Sequence, residues 1–309
     1  MHLIVSFAAP LAEAGRAAAA GLVLPHLQGL MQTLREGHRD TADEWSLSPP
    51  HERALAHALG WQGAAGLLPW AARWAQADGI ETGEAAFGML TPAHWHLGTD
   101  HVTLIDPAVL QLDEKASRAL LEVVGDLFTS QGYALHYGAP LRWYLSHASL
   151  ATLATPSLDR VIGRNVDAWL GSDPALRAVR RLQSEAQMLL HEHPLNLARE
   201  VQGLLPVNSF WLSGCGVAQG VAAPEPSVDD RLRAPALAGD WAAWAQAWQA
   251  LDEGPLAALQ AAAQRGEPIR LTLCGERSAA TFEPAAQGLL PRLRGFWSKP
   301  AAWSVLETL

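Results

Sequence analysis

Residues 193–216 read HPLNLAREVQGLLPVNSFWLSGCG, and this stretch indicates the fold class. His193, Asn196 and Arg199 fall close together at its start, and an apolar strand follows that opens at Asn208 and closes with two glycines. A helix end, a polar turn and a glycine-terminated strand are how α/β proteins build the rim of a site, because ligands sit beyond the carboxyl ends of strands. We therefore expect these four polar side chains to line such a rim.

The rest of the chain alternates between strand-like and helix-like patterns of apolar residues. Strands are predicted over 2–7, 85–106, 209–212 and 269–274, with 279–282 as a candidate partner of the last, and a hairpin is predicted for 133–137 and 141–145. Helices are predicted over 10–37 with a break at Pro25, and over 63–78, 113–129, 158–170, 174–191 and 240–266, with Asp173 as an N-cap. The alternation predicts an α/β fold with a layered mixed or parallel sheet and helices on both faces. We expect one domain over 1–309, a helical insert about 158–200 and a mobile loop about 216–236.

The composition narrows the classes of partner. The formal net charge is -9, which argues against a nucleic-acid binder because such a protein needs a basic face for the phosphates. No stretch of 18 uncharged apolar residues predicts a membrane span, and the first residues lack the pattern of a signal peptide. The two cysteines form no C-x-x-C pair. We expect a cytoplasmic protein with no nucleic-acid or membrane partner and no bound cofactor.

Four potential metal ligands lie within eight residues: His94, His96, Asp100 and His101. If the segment is one strand, His94, His96 and Asp100 point to the same face, because side chains alternate along a strand. This pattern fits a metal or catalytic site, and it also fits a polar strand edge with satisfied histidines. The residue types alone do not decide between the two interpretations.

A second cluster contains Arg160 and Arg164, which would share one face of a helix over 158–170 at i, i+4 spacing. Two guanidinium groups can hold a carboxylate or a phosphate in bidentate fashion. The alternative is a solvated helix face with weak surface ion pairs. The opening motif has an alternative too: His193 would then be a helix cap, and Asn196 and Arg199 would make hydrogen bonds of turns and caps.

Three runs carry a resemblance to known families. The HP-x-N-x-x-R…VNS-x-W-x-x-G-x-G run is similar to one in archaeal-type cofactor-independent phosphoglycerate mutases. Together with the runs TPAHWHLGTDHV and LDRVIGRNVDAWL, it also resembles the RpfE-type bacterial regulatory proteins, over roughly residues 85–216; these proteins are often described as phosphoglycerate-mutase-like. The resemblance implies a bacterial cytoplasmic protein with the core of the alkaline-phosphatase-like superfamily.

The sequence departs from those mutases where their chemistry lies. Leu90 stands where the family has its nucleophilic serine, and the first strand runs into Ala8, Ala9 and Pro10 instead of a metal-binding aspartate. No histidine follows His193. These departures predict a pseudoenzyme without metals that acts as a regulatory protein or binds a phosphorylated or carboxylated metabolite.

Within that hypothesis, Arg160, Arg164, Asn196 and Arg199 would hold the anion, and a protein partner is a further option. The alternative function is an active metal-dependent phosphoryl-transfer enzyme, such as a mutase or phosphatase, with a site rebuilt around His94, His96 and Asp100.

Overall fold

The structure, a computed structural model, describes residues 1–170, 174–222, 224–284 and 302–309. Its strands are β1 (His2–Ala9), β2 (Leu34–Thr41), β3 (Ala86–Ala93), β4 (Trp95–Leu97), β5 (Val102–Leu104), β6 (Ala134–Ala139), β7 (Arg142–Ser146), β8 (Ser209–Val217), β9 (Ser227–Asp229), β10 (Arg270–Gly275) and β11 (Ser278–Pro284).

The helices in the chain's first two thirds are α1 (Glu13–Ala20), α2 (Pro25–Thr33), α3 (Pro50–Ala58), α4 (Trp70–Ala77), α5 (Glu114–Thr129), α6 (Leu158–Val161), α7 (Val166–Leu170), α8 (Arg177–Leu190) and α9 (Pro194–Val201). The later ones are α10 (Arg233–Ala238), α11 (Trp241–Leu251), α12 (Ala257–Gln264) and α13 (Ala302–Leu306). A π-helical turn, Asp252–Leu256, connects α11 to α12. None of the helices in the described part of the chain combines the length and the hydropathy that a bilayer crossing requires.

The chain is divided into two compact units, where we expected one domain. Unit 1 comprises residues 1–45, 49–60 and 221–309, and unit 2 comprises residues 46–48 and 61–220. Unit 2 is thus a long insertion between α3 and β9 of unit 1. The helices α6 to α9, which cover most of the predicted helical insert, belong to unit 2.

Unit 1 contains a five-stranded mixed sheet in the order β2-β11-β10-β1-β9. The central strand β1 is parallel to β10 and to β9, whereas β11 is antiparallel to both β10 and β2. Leu3 and Val5 point to one face and Ile4 to the other, as the alternation of a strand requires. The first face packs on α2, α11 and α12, and the second on α3. The predicted mixed sheet with helices on both faces is confirmed in this unit.

Two tryptophans of α11 donate hydrogen bonds to the carboxyl end of β1. Pairing of β1 with β10 is interrupted between Val5 and Ala9, and Phe7 lies in the left-handed region with φ 55. The indole nitrogens of Trp244 and Trp248 donate to the carbonyls of Phe7 and Ala8 at 3.0 and 3.3 Å. Buried carbonyls that leave a sheet need such partners, so these indoles stabilise the irregular strand end as well as the core.

Unit 2 contains a four-stranded antiparallel sheet in the order β6-β7-β3-β8. One face packs on α5 and α8, and the other on α4 through Ala71, Ala75, Phe87 and Tyr144. Gly214 lies in β8 with φ 65, and a Cβ there would come within 2.9 Å of the backbone of α4. The glycines at the end of the opening motif therefore permit close strand–helix packing.

Several predicted elements differ from the observed ones. Residues 34–41 form β2 where the helix 10–37 was expected to end, and α4 begins only at Trp70 because Gly63, Gly66 and Pro69 precede it. The stretch 216–236 contains β9 and the start of α10, so the prediction of a loop throughout was wrong. Short parallel strands such as β9 carry little periodicity of their own. The predicted cap Asp173 lies outside the described residues.

Candidate functional site

The histidine-rich segment forms a small two-stranded hairpin, β4–β5, in unit 2. His94 precedes β4 and its Nδ1 lies 2.8 Å from the carbonyl oxygen of Pro206, while His96 is exposed within β4. Asp100 and His101 lie exposed in the turn, which the Gly98 N–H closes by donating to the His101 carbonyl. The expectation that His94, His96 and Asp100 share one strand face was wrong, because the strand is too short to include Asp100.

The two arginines of the second cluster do not share a helix face. Helix α6 ends at Val161, and Gly163 follows with φ 73, a conformation that interrupts helices. Arg160 is buried and reaches toward the Ser48 carbonyl, whereas the guanidinium carbon of Arg164 lies 5.9 Å from the centre of the Trp169 ring. The prediction that Arg160 and Arg164 share one face of a helix was therefore wrong.

The opening motif makes internal contacts. His193 is the N-cap of α9, with its Nδ1 accepting from the Leu195 N–H at 3.3 Å. Asn196 is buried, and its Nδ2 donates to the carbonyls of Leu190 and Val207 at 3.0 and 2.7 Å. Its Oδ1 accepts from the Val207 N–H at 2.9 Å. These hydrogen bonds of Asn196 connect the α8–α9 corner to the segment that precedes β8.

Arg199 and Asn208 bind backbone groups as well. Arg199 donates from Nε to the Leu205 carbonyl at 3.0 Å and from a terminal nitrogen to the Leu110 carbonyl at 2.5 Å. Burial lowers the pKa of Arg199, and the charge of Asp113 opposes this effect. The Asn208 amide exchanges two hydrogen bonds with the backbone of Trp95, at 2.7 and 2.9 Å. Moreover, β8 lies in an antiparallel sheet, which has no common carboxyl edge to form the expected rim.

The described residues contain no group of three histidine, cysteine, aspartate or glutamate side chains arranged to hold a metal ion. At the carboxyl end of β10, the Glu276 carboxylate accepts from the Leu11 N–H at 2.8 Å.

A cleft of about 190 Å³ in unit 1 brings together polar side chains that the sequence keeps far apart. It lies on the sheet face that α3 partly covers, and each element supplies part of its lining. β1 and β2 provide His2, His38 and Asp40, α3 provides Arg53 and His57, β10 provides Arg270 and Thr272, and β11 provides Thr281 and Glu283. The register explains the convergence, since Thr272 pairs with Thr281 and Thr281 with His38 across adjacent strands.

The floor of this cleft is a chain of hydrogen bonds across three strands. The Nε2 atom of His2 lies 2.9 Å from the hydroxyl of Thr272, which lies 2.9 Å from the hydroxyl of Thr281. The rings of His38 and His57 stack above, with centroids 4.9 Å apart and planes 12° apart. Two hydroxyls and three imidazoles therefore face a small space, and each can donate or accept a proton.

Each of the two arginines of the cleft is paired with one carboxylate. Arg53 Nε lies 2.6 Å from Asp40 Oδ2, and Arg270 Nε lies 2.7 Å from Glu283 Oε1. These four formal charges cancel in pairs. The Arg270 and Glu283 side chains are 47% and 45% exposed, which leaves that pair able to rearrange around a ligand.

The pKa of His2 reflects the burial and the charges at the floor of the cleft. Burial lowers its pKa from the usual 6.5 to about 4, and positive charge on Arg270, the Met1 amino group and His57 contributes in the same direction. His2 is therefore neutral at neutral pH. Burial, the largest cause, disfavours any charge at this position, whereas the positive groups nearby disfavour a proton and would favour an anion.

The sequence contained a signal for this cleft that the periodicity analysis missed. LREGHRDT is almost entirely polar, and His38 and Asp40 lie on one face of β2, whereas a bulge between them and Glu36 places Glu36 on the other face beside Arg39. That run was assigned in part to the preceding helix. The strands 269–274 and 279–282 were predicted, but the partner register that aligns Thr272 with Thr281 comes from tertiary structure.

No protein-family model and no curated protein matches this sequence. Among solved structures, the chain is similar to the cofactor-independent phosphoglycerate mutase from Thermoplasma acidophilum DSM 1728, with 12% identity, a TM-score of 0.36 and coverage of 100% of this chain and 98% of that one. It is also similar to the PH0037 protein from Pyrococcus horikoshii, with 10% identity, a TM-score of 0.41 and coverage of 92% and 87%. The RpfE-type and alkaline-phosphatase-like assignments stay predictions.

Proposed function

We propose that this chain is a binding protein for a small anionic metabolite of the carboxylate or phosphate class, and that the ligand occupies the unit 1 cleft. The observation that carries the proposal is the convergence of Arg53, Arg270 and three histidines on one space of about 190 Å³. Guanidinium groups and imidazolium rings are the side chains that pair with carboxylates and phosphates through charge-assisted hydrogen bonds.

The size of the cleft supports a small ligand. Sites for drug-sized ligands enclose roughly 300–1,000 Å³. A space of about 190 Å³ suits an ion or an acid of a few heavy atoms. The hydroxyls of Thr272 and Thr281 add neutral donors that can orient the oxygens of such a ligand.

We also propose that the protein binds this ligand without catalysing a metal-dependent reaction. The serine and aspartate positions of the mutases are Leu90 and Ala8–Pro10 here, which supports a regulatory or ligand-binding role over phosphoryl transfer. The anion site that we propose differs from the one expected from the sequence. Asn196 and Arg199 make backbone contacts within unit 2, which supports a structural role for both.

Calorimetric titration with sulfate tests the proposal, because sulfate is a dianion that does not titrate between pH 4 and 8. The wild type should bind one sulfate, and Arg270→Gln should weaken association by roughly tenfold or more, as expected for loss of a charge-assisted hydrogen bond. Arg265→Gln is the matched control, because Arg265 is a 61% exposed arginine whose Nε lies 2.7 Å from Glu267. A wild type that binds no sulfate, or equal effects of the two variants, would reject the cleft as the site. A chelator should leave the affinity unchanged.

A further inference from the structure

We infer that the cleft takes up a proton when it binds its anion, and that His2 is the group that accepts this proton. The inference rests on the proposed function and adds its regulation: the protein would hold its ligand more tightly as the pH falls. The arguments are the position of His2 at the end of a hydroxyl chain and the charges that face it.

The hydroxyl chain can point in either of two directions. With His2 neutral and its proton on Nδ1, Nε2 accepts from Thr272, and Thr272 accepts from Thr281. With His2 protonated, Nε2–H donates to Thr272, which then donates to Thr281. The Thr281 hydroxyl then no longer donates to Thr272, and its O–H can point into the cleft that Thr281 lines. For the tautomer with its proton on Nδ1, protonation of His2 therefore adds both a positive charge and a hydroxyl donor for an anion, whereas for the Nε2–H tautomer it adds the charge alone.

The charges around His2 make the free protein resist this protonation. The titratable and charged groups around His2 are the nearby Met1 amino group and, lining the cleft, Arg270 on β10, Arg53 and His57 on α3, His38 and Asp40 on β2, and Glu283 on β11. Among them, Arg270, the Met1 amino group and His57 all disfavour the imidazolium, in addition to burial. A bound dianion would place negative charge next to His2, and this charge would favour the imidazolium form. In the described residues, the Nδ1 atom of His2 has no hydrogen-bond partner, and a bound oxygen could supply one.

Linkage gives the size of the effect. One proton taken up on binding makes the association constant rise by up to tenfold for each pH unit lowered. If the anion restores the pKa of His2 from about 4 to its usual 6.5, the affinity rises by roughly 100-fold between neutral pH and pH 4 and approaches a limit of roughly 300-fold at lower pH.

The test is calorimetry of sulfate binding at pH 5.5 in buffers of different ionisation enthalpy, which measures the protons taken up for each sulfate bound. The wild type should take up about one proton. His2→Gln retains an amide nitrogen that can donate to Thr272 but cannot titrate, and it should bind sulfate with little proton uptake and a flat pH profile. Thr281→Val removes the end of the hydroxyl chain and should weaken binding at pH 5.5 more than at pH 7.5.

His191→Gln, at an exposed position in unit 2, is the control and should retain the uptake. Sulfate binding with no proton uptake by the wild type, or uptake unchanged in His2→Gln, would overturn this inference and leave the proposed function standing. Absence of any sulfate binding by the folded wild type would overturn both. Circular dichroism confirms that each variant is folded before titration.

Discussion

Replacing Asn196 with alanine tests whether the most distinctive motif of the chain serves structure or ligand binding. Asn196 is 3% exposed and makes three hydrogen bonds, all to backbone groups. Truncation leaves the buried Val207 N–H without the amide oxygen, at a cost of about 1–3 kcal/mol. The Leu190 carbonyl still accepts from the His193 N–H, so losing the amide donor there costs less. Loss of the donor to the Val207 carbonyl costs about 1 kcal/mol of stability.

The expected sum is a decrease of about 3 kcal/mol in the free energy of unfolding, reduced if a water molecule enters the vacated space. Urea denaturation followed by tryptophan fluorescence measures this decrease. Glu200→Ala is the matched control, because Glu200 is an exposed residue on the same helix, and it should change stability by less than about 0.5 kcal/mol. A variant Asn196→Ala that is as stable as the control and loses sulfate binding would contradict the structural role and restore the ligand-binding interpretation of the motif.

Three further predictions follow from other contacts. The pKa of His2 lies near 4 in the folded protein and near 6.5 when unfolded, so the unfolded chain binds more protons between these values. The free energy of unfolding should therefore fall by about 1 kcal/mol, after solvent screening, from pH 6.5 to 4 in the wild type and by less in His2→Gln, as urea titrations at each pH would show. Gly138→Ala would place a Cβ 2.3 Å from a carboxylate oxygen of Asp78 and should lower stability by about 1–3 kcal/mol in thermal melts; an unchanged melting temperature would contradict the packing. Burial raises the pKa of the Cys215 and Cys274 thiols, so a thiol reagent should label neither in the native protein and both in denaturant.

Local sequence patterns predicted the elements whose signals are short-range. The helix α5 begins after its N-cap Asp113, whose carboxylate accepts from the Ala116 N–H at 2.7 Å, and the apolar face of α5 packs where expected. The hairpin β6–β7 and the pairing of β10 with β11 were also predicted. These elements carry their capping, turn and alternation signals within a few residues.

The elements that were missed depend on distant partners. Strand β2 is an edge strand of exposed and half-buried polar residues, so its alternation has almost no apolar component. Strand β9 spans three residues and exists because β1 offers it a parallel edge. The break at Gly163 was hidden within a helical pattern, and the backbone of Leu104 stabilises it by accepting from the Gly163 N–H at 2.9 Å.

The candidate site was harder to predict than the fold. Motif-based reasoning favoured residues that stand close together in the sequence, such as Asn196 and Arg199, and in the structure these bind backbone groups. The cleft residues are dispersed from His2 to Glu283, and each looks unremarkable in its local context. Strand order and register bring them together, and neither property can be obtained from one strand alone.

A crystal structure with selenate is the most direct test of the anion site, because selenium gives an anomalous signal and selenate has the charge and shape of sulfate. Our account predicts one strong anomalous peak in the unit 1 cleft, within hydrogen-bond distance of His2 and Arg270. The peak should disappear in Arg270→Gln crystals soaked in the same solution. A cleft without a peak at selenate concentrations well above the measured dissociation constant, or a dominant peak among Arg160, Arg164 and Arg199, would contradict the account.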